Sequence, residues 1–165
     1  MLFKGCGINI VTPFTDTNEV DFDSLGRLVD TYINIGAKAL ILGRTTGEFF
    51  AMSDNEILEV VDFVVKRVNK KIPVLAQTGL NDTSRSVVLS IRARALGLDG
   101  QIIASPYYGQ GNELGLISHF KSIALAGGLP TYIDNDPART GFNLEPSLIA
   151  KLAEVPNIVG IIESS

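Results

Sequence analysis

Residues 131–163 read TYIDNDPARTGFNLEPSLIAKLAEVPNIVGIIE, and this stretch decides the fold. It opens with an apolar run that predicts a strand over residues 131–134 and closes with a run that predicts another over residues 158–162. Between them, Pro146 suits the first turn of a helix predicted over residues 146–153. A strand, a helix and a second strand in this order indicate a βαβ unit of a parallel sheet.

The same alternation runs back to the start of the chain, with about thirty residues in each unit. Earlier apolar runs predict strands over residues 7–12, 39–43, 73–78 and 100–104. Apolar residues at helical spacing predict helices that include residues 25–33, 57–68, 87–95 and 116–126. Ser53 and Glu56 form a capping-box pattern, so the second helix is expected to begin there.

Six strands and five helices predict a single α/β domain over residues 1–165, a parallel (β/α) barrel of the TIM type. Eight units close such a barrel in about 250 residues, so this chain of 165 residues is expected to form an incomplete one. We expect the open side to be covered by another copy of the chain or by a separate fragment. Rearrangement into a flatter, doubly wound sheet is the third possibility, and the alternative to all three is a marginal, aggregation-prone product.

Composition restricts the class of protein. The net charge is -4 and the sequence contains no cluster of basic residues. Both features argue against nucleic acid or an anionic membrane as a partner. No apolar stretch reaches the length of a membrane span and no signal sequence is visible, so a cytoplasmic protein is expected. Cys6 is the only cysteine and is expected to be a small buried side chain.

Five motifs in one register carry a resemblance. They are GINIVTPF over residues 7–14, RTTGEF over 44–49, SPYYG over 105–109, DNDPARTG over 134–141 and NIVGIIES over 157–164. Together they resemble the dihydrodipicolinate synthase family of pyruvate-dependent lyases, along essentially the whole chain. The resemblance implies a barrel, a small 2-oxo acid such as pyruvate as ligand, a homo-oligomer, and neither a cofactor nor a metal.

The sequence departs from the family's pattern in three places. The family forms a Schiff base between pyruvate and a lysine of strand six, and Ile162 stands at that position. Asp134 stands where the family has a proton-relay tyrosine, although an aspartate at its usual pKa only accepts protons. After strand two, Arg44 and Phe49 replace a glycine and a serine. The chain's own lysines are predicted on helices or on loops that enter strands, and none is an obvious substitute.

Other positions match the family's pattern. Thr45 corresponds to a hydroxyl of the proton relay, and Thr46 to a residue that seats the pyruvate carboxylate. Tyr108, beside Tyr107, corresponds to the relay tyrosine offered across a subunit contact. Arg139 corresponds to the arginine that binds a carboxylate of the second substrate. The alternatives are that both threonines cap their turn and that Arg139 is an ordinary surface arginine.

Two further side-chain groups leave alternatives open. Asp134 and Asp136 are expected to face the barrel axis, with Arg44 as their counter-ion in a structural pairing. A divalent-metal site of Asp134, Asp136 and Glu163 is the other interpretation, although Glu163 should face away from the side that Ile162 occupies. His119 is expected on the exposed side of its helix, in a structural role.

Three functions follow from these patterns. The first is a family member that has lost catalysis and retains at most weak binding of small carboxylates through Thr45, Thr46 and Arg139. The second is a scaffold, shortened or engineered, that self-assembles. The third is a remodelled lyase that uses Arg44, Asp134 and Asp136.

Overall fold

A computed structural model describes residues 2–109 and 111–165. Six strands form one parallel sheet in the order β1-β2-β3-β4-β5-β6. The strands are β1 (Gly7–Asn9), β2 (Ala39–Leu42), β3 (Val74–Gly79), β4 (Gly100–Ala104), β5 (Thr131–Asn135) and β6 (Ile158–Glu163). Because each strand pairs only with its neighbours in sequence, the sheet has no reversal of strand order. The incomplete barrel is confirmed, and the doubly wound alternative is wrong.

Helices separate the strands, as predicted. They are α1 (Phe22–Asn34), α2 (Asp54–Val68), α3 (Thr83–Ala95), α4 (Glu113–Gly127), α5 (Pro137–Thr140) and α6 (Pro146–Ala153), with a 3-10 turn over Phe49–Ala51. The short α5 was not predicted, because four residues are too few to show a helical period. Strand β1 ends three residues earlier than expected. No helix in the described ranges has the length and apolar character that crossing a membrane requires.

Side chains at the helix N-termini explain where the helices begin. Ser53 accepts a hydrogen bond from the Glu56 backbone N–H, and the Glu56 carboxylate accepts one from the Ser53 N–H at 2.8 Å. This reciprocal pair is the predicted capping box. Asp82 caps α3 and Asn112 caps α4 in the simpler manner, each through one side-chain oxygen. The first four N–H groups of an α-helix have no acceptor within the helix, and these caps provide acceptors for some of them.

The core lies in two layers on either side of the sheet. On the outer side, α1 to α4 and α6 pack their apolar faces against alternate strand residues such as Leu40, Ala76 and Ile133. On the inner side, Ala39, Leu75 and Ile102 form a smaller cluster, against which partly buried residues including Ile162 pack. Strand side chains alternate between these two layers, which is the pattern of a barrel wall.

Two predictions about burial are wrong. Cys6 is exposed, because it precedes β1 on a segment that no helix covers. His119 is buried, with only 5% of its surface exposed, because α4 packs against both α3 and α6. A helix held between two others has a wide buried face, and His119 lies on that face beside Phe120.

Candidate functional site

The turn after β2 has a backbone that few residues adopt. Gly43 has φ 82° and Arg44 has φ 52°, both in the left-handed region. The Gly47 N–H donates to the Gly43 carbonyl at 2.8 Å, and the Thr12 hydroxyl donates to the Gly47 carbonyl at 2.7 Å. A Cβ at Gly47 would lie 2.7 Å from the Gly43 nitrogen, so the turn requires glycine there. The tight turn directs Arg44 toward the inner side of the sheet, where it meets β5.

Arg44 forms a bidentate ion pair with Asp134. Its Nε donates to Asp134 Oδ2 at 2.9 Å and its Nη2 donates to Oδ1 at 2.8 Å. The two side chains are 13% and 8% exposed. Two parallel N–H···O bonds are the strongest arrangement of this pair, and they compensate the desolvation of the carboxylate. The counter-ion interpretation of Arg44 is therefore confirmed for Asp134.

A cleft of about 220 Å³ opens beside this ion pair. It lies at the carboxyl ends of the strands, the face at which barrels of this type place their active sites. Its lining combines two guanidinium groups, two carboxylates, one phenol and several smaller groups. The lining residues are Arg44, Thr45, Phe50, Gln77, Ala104, Tyr107, Asp134, Asp136, Arg139 and Thr140. Such a lining suits a small polar ligand, and it includes no lysine.

The structure brings together some of the residues singled out from the sequence. Thr45, Asp134 and Arg139 all line the cleft, whereas Thr46 and Tyr108 do not. Tyr108 is fully exposed with φ 71°, and Thr46 is exposed in the turn after β2. Neither threonine hydroxyl bonds to any residue in the described ranges, so the capping role considered for both is not observed there.

Ile162 lies one strand away from the ion pair. It is the register partner of Asp134 in the β5–β6 ladder and packs with the inner apolar cluster. Position 162 therefore faces the barrel interior, and it offers a hydrocarbon side chain there. All lysines of the chain are exposed, consistent with their predicted places on helices and connecting loops.

Glu163 points away from the cleft. Its carboxylate accepts two hydrogen bonds from Asn135 Nδ2, at 3.0 and 3.1 Å, and one from the Ser165 N–H at 2.8 Å. The bond from Asn135 contributes most to a lowered pKa for Glu163, because it favours the charged carboxylate. The side chains of Asp134 and Glu163 thus lie on different faces of the sheet. Asp134, Asp136 and Glu163, which were considered as metal ligands, therefore do not share a site.

Some residues of the site were not predicted. Phe50 and Gln77 line the cleft, and Asn135 supports its wall by accepting from the Leu144 N–H at 3.0 Å. A signal was present for two of them. Gln77 interrupts the apolar run of β3 and Asn135 ends that of β5, and a polar residue inside a buried strand requires a hydrogen-bond partner.

His119 lies in the outer layer, remote from the cleft lining. Its Nδ1 shares a hydrogen bond of 2.8 Å with the Thr83 hydroxyl, while its Nε2 is buried without a partner in the described part of the chain. Burial lowers the pKa of His119 from 6.5 to about 4, since a charged imidazolium would lose its solvation. The histidine joins α4 to the start of α3, which is a structural role.

Comparisons with known proteins agree on one family. The model of the dihydrodipicolinate synthetase family matches residues 2–165. A curated relative, the 4-hydroxy-tetrahydrodipicolinate synthase of Caldicellulosiruptor bescii, is 45% identical over 164 residues, which is 99% of this chain and 56% of the relative. The chain therefore spans little more than half the length of that relative.

Solved structures agree with the same fold. The crystal structure of dihydrodipicolinate synthase from Aquifex aeolicus superposes with a TM-score of 0.95 at 36% identity, over 99% of this chain and 56% of that one. The chloride-inhibited enzyme from Acinetobacter baumannii, solved as a complex with pyruvate, gives 0.92 at 39% identity, over 96% and 54%. Each superposition covers nearly all of this chain with its half-barrel of six strands.

Proposed function

Because the chain belongs to the dihydrodipicolinate synthetase family, we propose that it binds small carboxylates in its cleft without the Schiff-base chemistry of a pyruvate-dependent lyase. The observation that carries this proposal is Ile162, an inward-facing hydrocarbon in strand β6. Schiff-base formation needs a nitrogen lone pair that attacks the ketone of the substrate. Neither Ile162 nor any lining residue of the cleft has such an amine.

The ion pair supports the loss of proton transfer as well. A tyrosine hydroxyl both donates and accepts a proton, while an ionised carboxylate only accepts. Asp134 has its two oxygens engaged by Arg44, one by Nε and the other by Nη2. A proton relay through this position would have to break the bidentate pair first.

Binding of a small carboxylate is supported by Arg139 and Thr45. Both line the cleft, and neither has an ion-pair or hydrogen-bond partner among the described side chains. A guanidinium pairs with a carboxylate through two parallel hydrogen bonds, and a hydroxyl adds a third donor. The pyruvate complex of the Acinetobacter baumannii relative supports a 2-oxo acid of that size as a ligand.

Reduction with borohydride in the presence of pyruvate tests the proposal. We expect no covalent adduct by intact mass, because every lysine of the chain is exposed and none lines the cleft. The variant Ile162→Lys is the matched control, since it restores an amine on the inner face of β6. A stoichiometric adduct on the unaltered chain, mapped to one lysine, would refute the loss of Schiff-base chemistry.

A remodelled lyase is the second candidate, since Arg44, Asp134 and Asp136 do line one cleft. The Asp136 carboxylate has no ion-pair partner among the described residues, which leaves it available as a base. Turnover of pyruvate with an aldehyde separates the two candidates. Activity that Asp136→Asn removes while the melting temperature stays constant favours the remodelled enzyme.

A self-assembling scaffold is the third candidate, supported by strand β6. Val159 and Ile161 on this edge strand are 54% and 37% exposed, and a second copy paired along the edge would cover them. Light scattering measures the solution mass directly. A monomer that unfolds cooperatively would argue against this candidate.

A further inference from the structure

Gln77 differs from the other residues of the cleft because its amide oxygen has no hydrogen-bond partner among the described residues. It is 5% exposed within a fully buried strand, and it lines the cleft. Its Nε2 donates to the Gly79 carbonyl at 3.3 Å, while its Oε1 is buried without a hydrogen-bond partner in residues 2–109 and 111–165. The bond to Gly79 fixes the orientation, because a reversed amide would place two carbonyl oxygens against each other.

The neighbours of Gln77 on the inner face of the sheet offer this oxygen no donor. Leu75, two residues earlier on the same face of β3, belongs to the inner apolar cluster, and so does Ile102, the register partner of Gln77. Neither side chain has a polar hydrogen to offer. Gln77 lines the cleft, so a ligand bound there is the donor that we expect this oxygen to find. A buried acceptor left unpaired costs free energy, so a ligand that donates there gains more than an ordinary surface hydrogen bond.

We propose that Gln77 makes the cleft selective for a small carboxylate that carries a hydroxyl group, in preference to the 2-oxo acid of the same skeleton. A hydroxyl donates to Oε1, whereas a ketone oxygen only accepts and would face Oε1 with like partial charge. The ligand's carboxylate pairs with Arg139, which lines the same cleft. This inference rests on the carboxylate site proposed above and adds which acid the site selects.

A neutral hydroxyl fits this position better than an ammonium group. The partner is an uncharged amide oxygen, and the surroundings on β3 and β4 are apolar. A charged group loses far more solvation than a hydroxyl on entering such a place, and one neutral acceptor does not compensate that loss. The carboxylates of the cleft do not change this preference, because Asp134 is already paired and Asp136 lies beyond the strand.

Four acids on one three-carbon skeleton test the proposal in the unaltered chain. Propionate, pyruvate, lactate and alanine differ only at the second carbon, and NMR titration gives a Kd for each. We expect lactate to bind at least about fivefold tighter than pyruvate, as one hydrogen bond of about 1 kcal/mol gives. If pyruvate binds as tightly as lactate or more tightly, the proposed selectivity is wrong. If alanine binds most tightly, the preference for a hydroxyl over an ammonium group is wrong. If none of the four binds, the carboxylate site itself is wrong.

The variant Gln77→Met tests whether Gln77 causes the preference for lactate. Methionine has a similar shape without the amide oxygen, so we expect lactate to lose its advantage while pyruvate binds no worse. The matched control is Gln101→Met on the neighbouring strand. Gln101 is equally buried, but its amide is paired to Thr78 and Thr131. A lactate preference that persists in Gln77→Met, or that disappears in Gln101→Met, contradicts the assignment.

Discussion

Replacement of His119 by glutamine tests how burial controls a charge in the outer layer. In the folded chain the pKa of His119 is lowered from 6.5 to about 4, because the ring is buried between α3 and α4. Between these two pH values the unfolded chain binds a proton that the folded chain does not. The free energy of unfolding therefore rises with pH across this window. The contribution of His119 to stability is lost as pH falls through the window.

The size of the effect follows from the shift. One pKa unit corresponds to about 1.4 kcal/mol, so the change from 6.5 to about 4 removes about 3 kcal/mol of stability as pH falls. Above pH 6.5 both states are neutral and the full contribution is present. Below about 4 both are protonated and no further loss occurs. The charge of Asp82 opposes the shift by favouring the imidazolium, and the pKa of about 4 already includes this opposition.

Urea unfolding followed by circular dichroism measures this effect across the pH window. His119→Gln keeps an acceptor for the Thr83 hydroxyl but cannot titrate, so the stability difference between the two chains should change by about 3 kcal/mol. Other carboxyls with lowered pKa values, such as Asp21 and Glu163, are common to both chains and cancel. Since the chain has one histidine, its NMR titration is unambiguous. A difference that stays constant from pH 6.5 to 4, or a histidine that titrates near 6.5, would refute the reasoning.

Further predictions concern the ion pair, the cleft wall and a helix cap. Asp134→Ala should cost about 3 kcal/mol in urea unfolding by leaving Arg44 unpaired, and a double change of Arg44→Met with Asp134→Leu should recover most of that loss. Asn135→Ala should cost about 2 kcal/mol by stranding the Leu144 N–H, and should also raise the pKa of Glu163, measured by carboxyl NMR. Asn112→Ala should cost about 1 kcal/mol and Asn112→Asp little, because an aspartate still caps α4.

The sequence predicted those parts of the fold that depend on local pattern. The inner strands β3 and β4 are fully buried on both faces and read as largely apolar runs. The alternation along β5 correctly placed Asp134 toward Arg44. The side of α4 that is buried depends on two other helices, so the local pattern around His119 could not reveal it. The cleft depends on which loops meet at one end of the sheet. Gln77 was therefore missed, although its polarity within β3 was visible.

The bidentate ion pair joins residues 90 positions apart in sequence, and this separation has a mechanical consequence. In a flat sheet, β2 and β5 would lie three strand spacings apart, about 14 Å. Direct contact between Arg44 and Asp134 is favoured when the sheet curls and brings these two strands closer. Any motion that opens the curl must break both hydrogen bonds, so the pair acts as a tether across the concave side. A ligand that competes for the guanidinium of Arg44 would loosen this curvature, while one held by Arg139 alone would leave it intact.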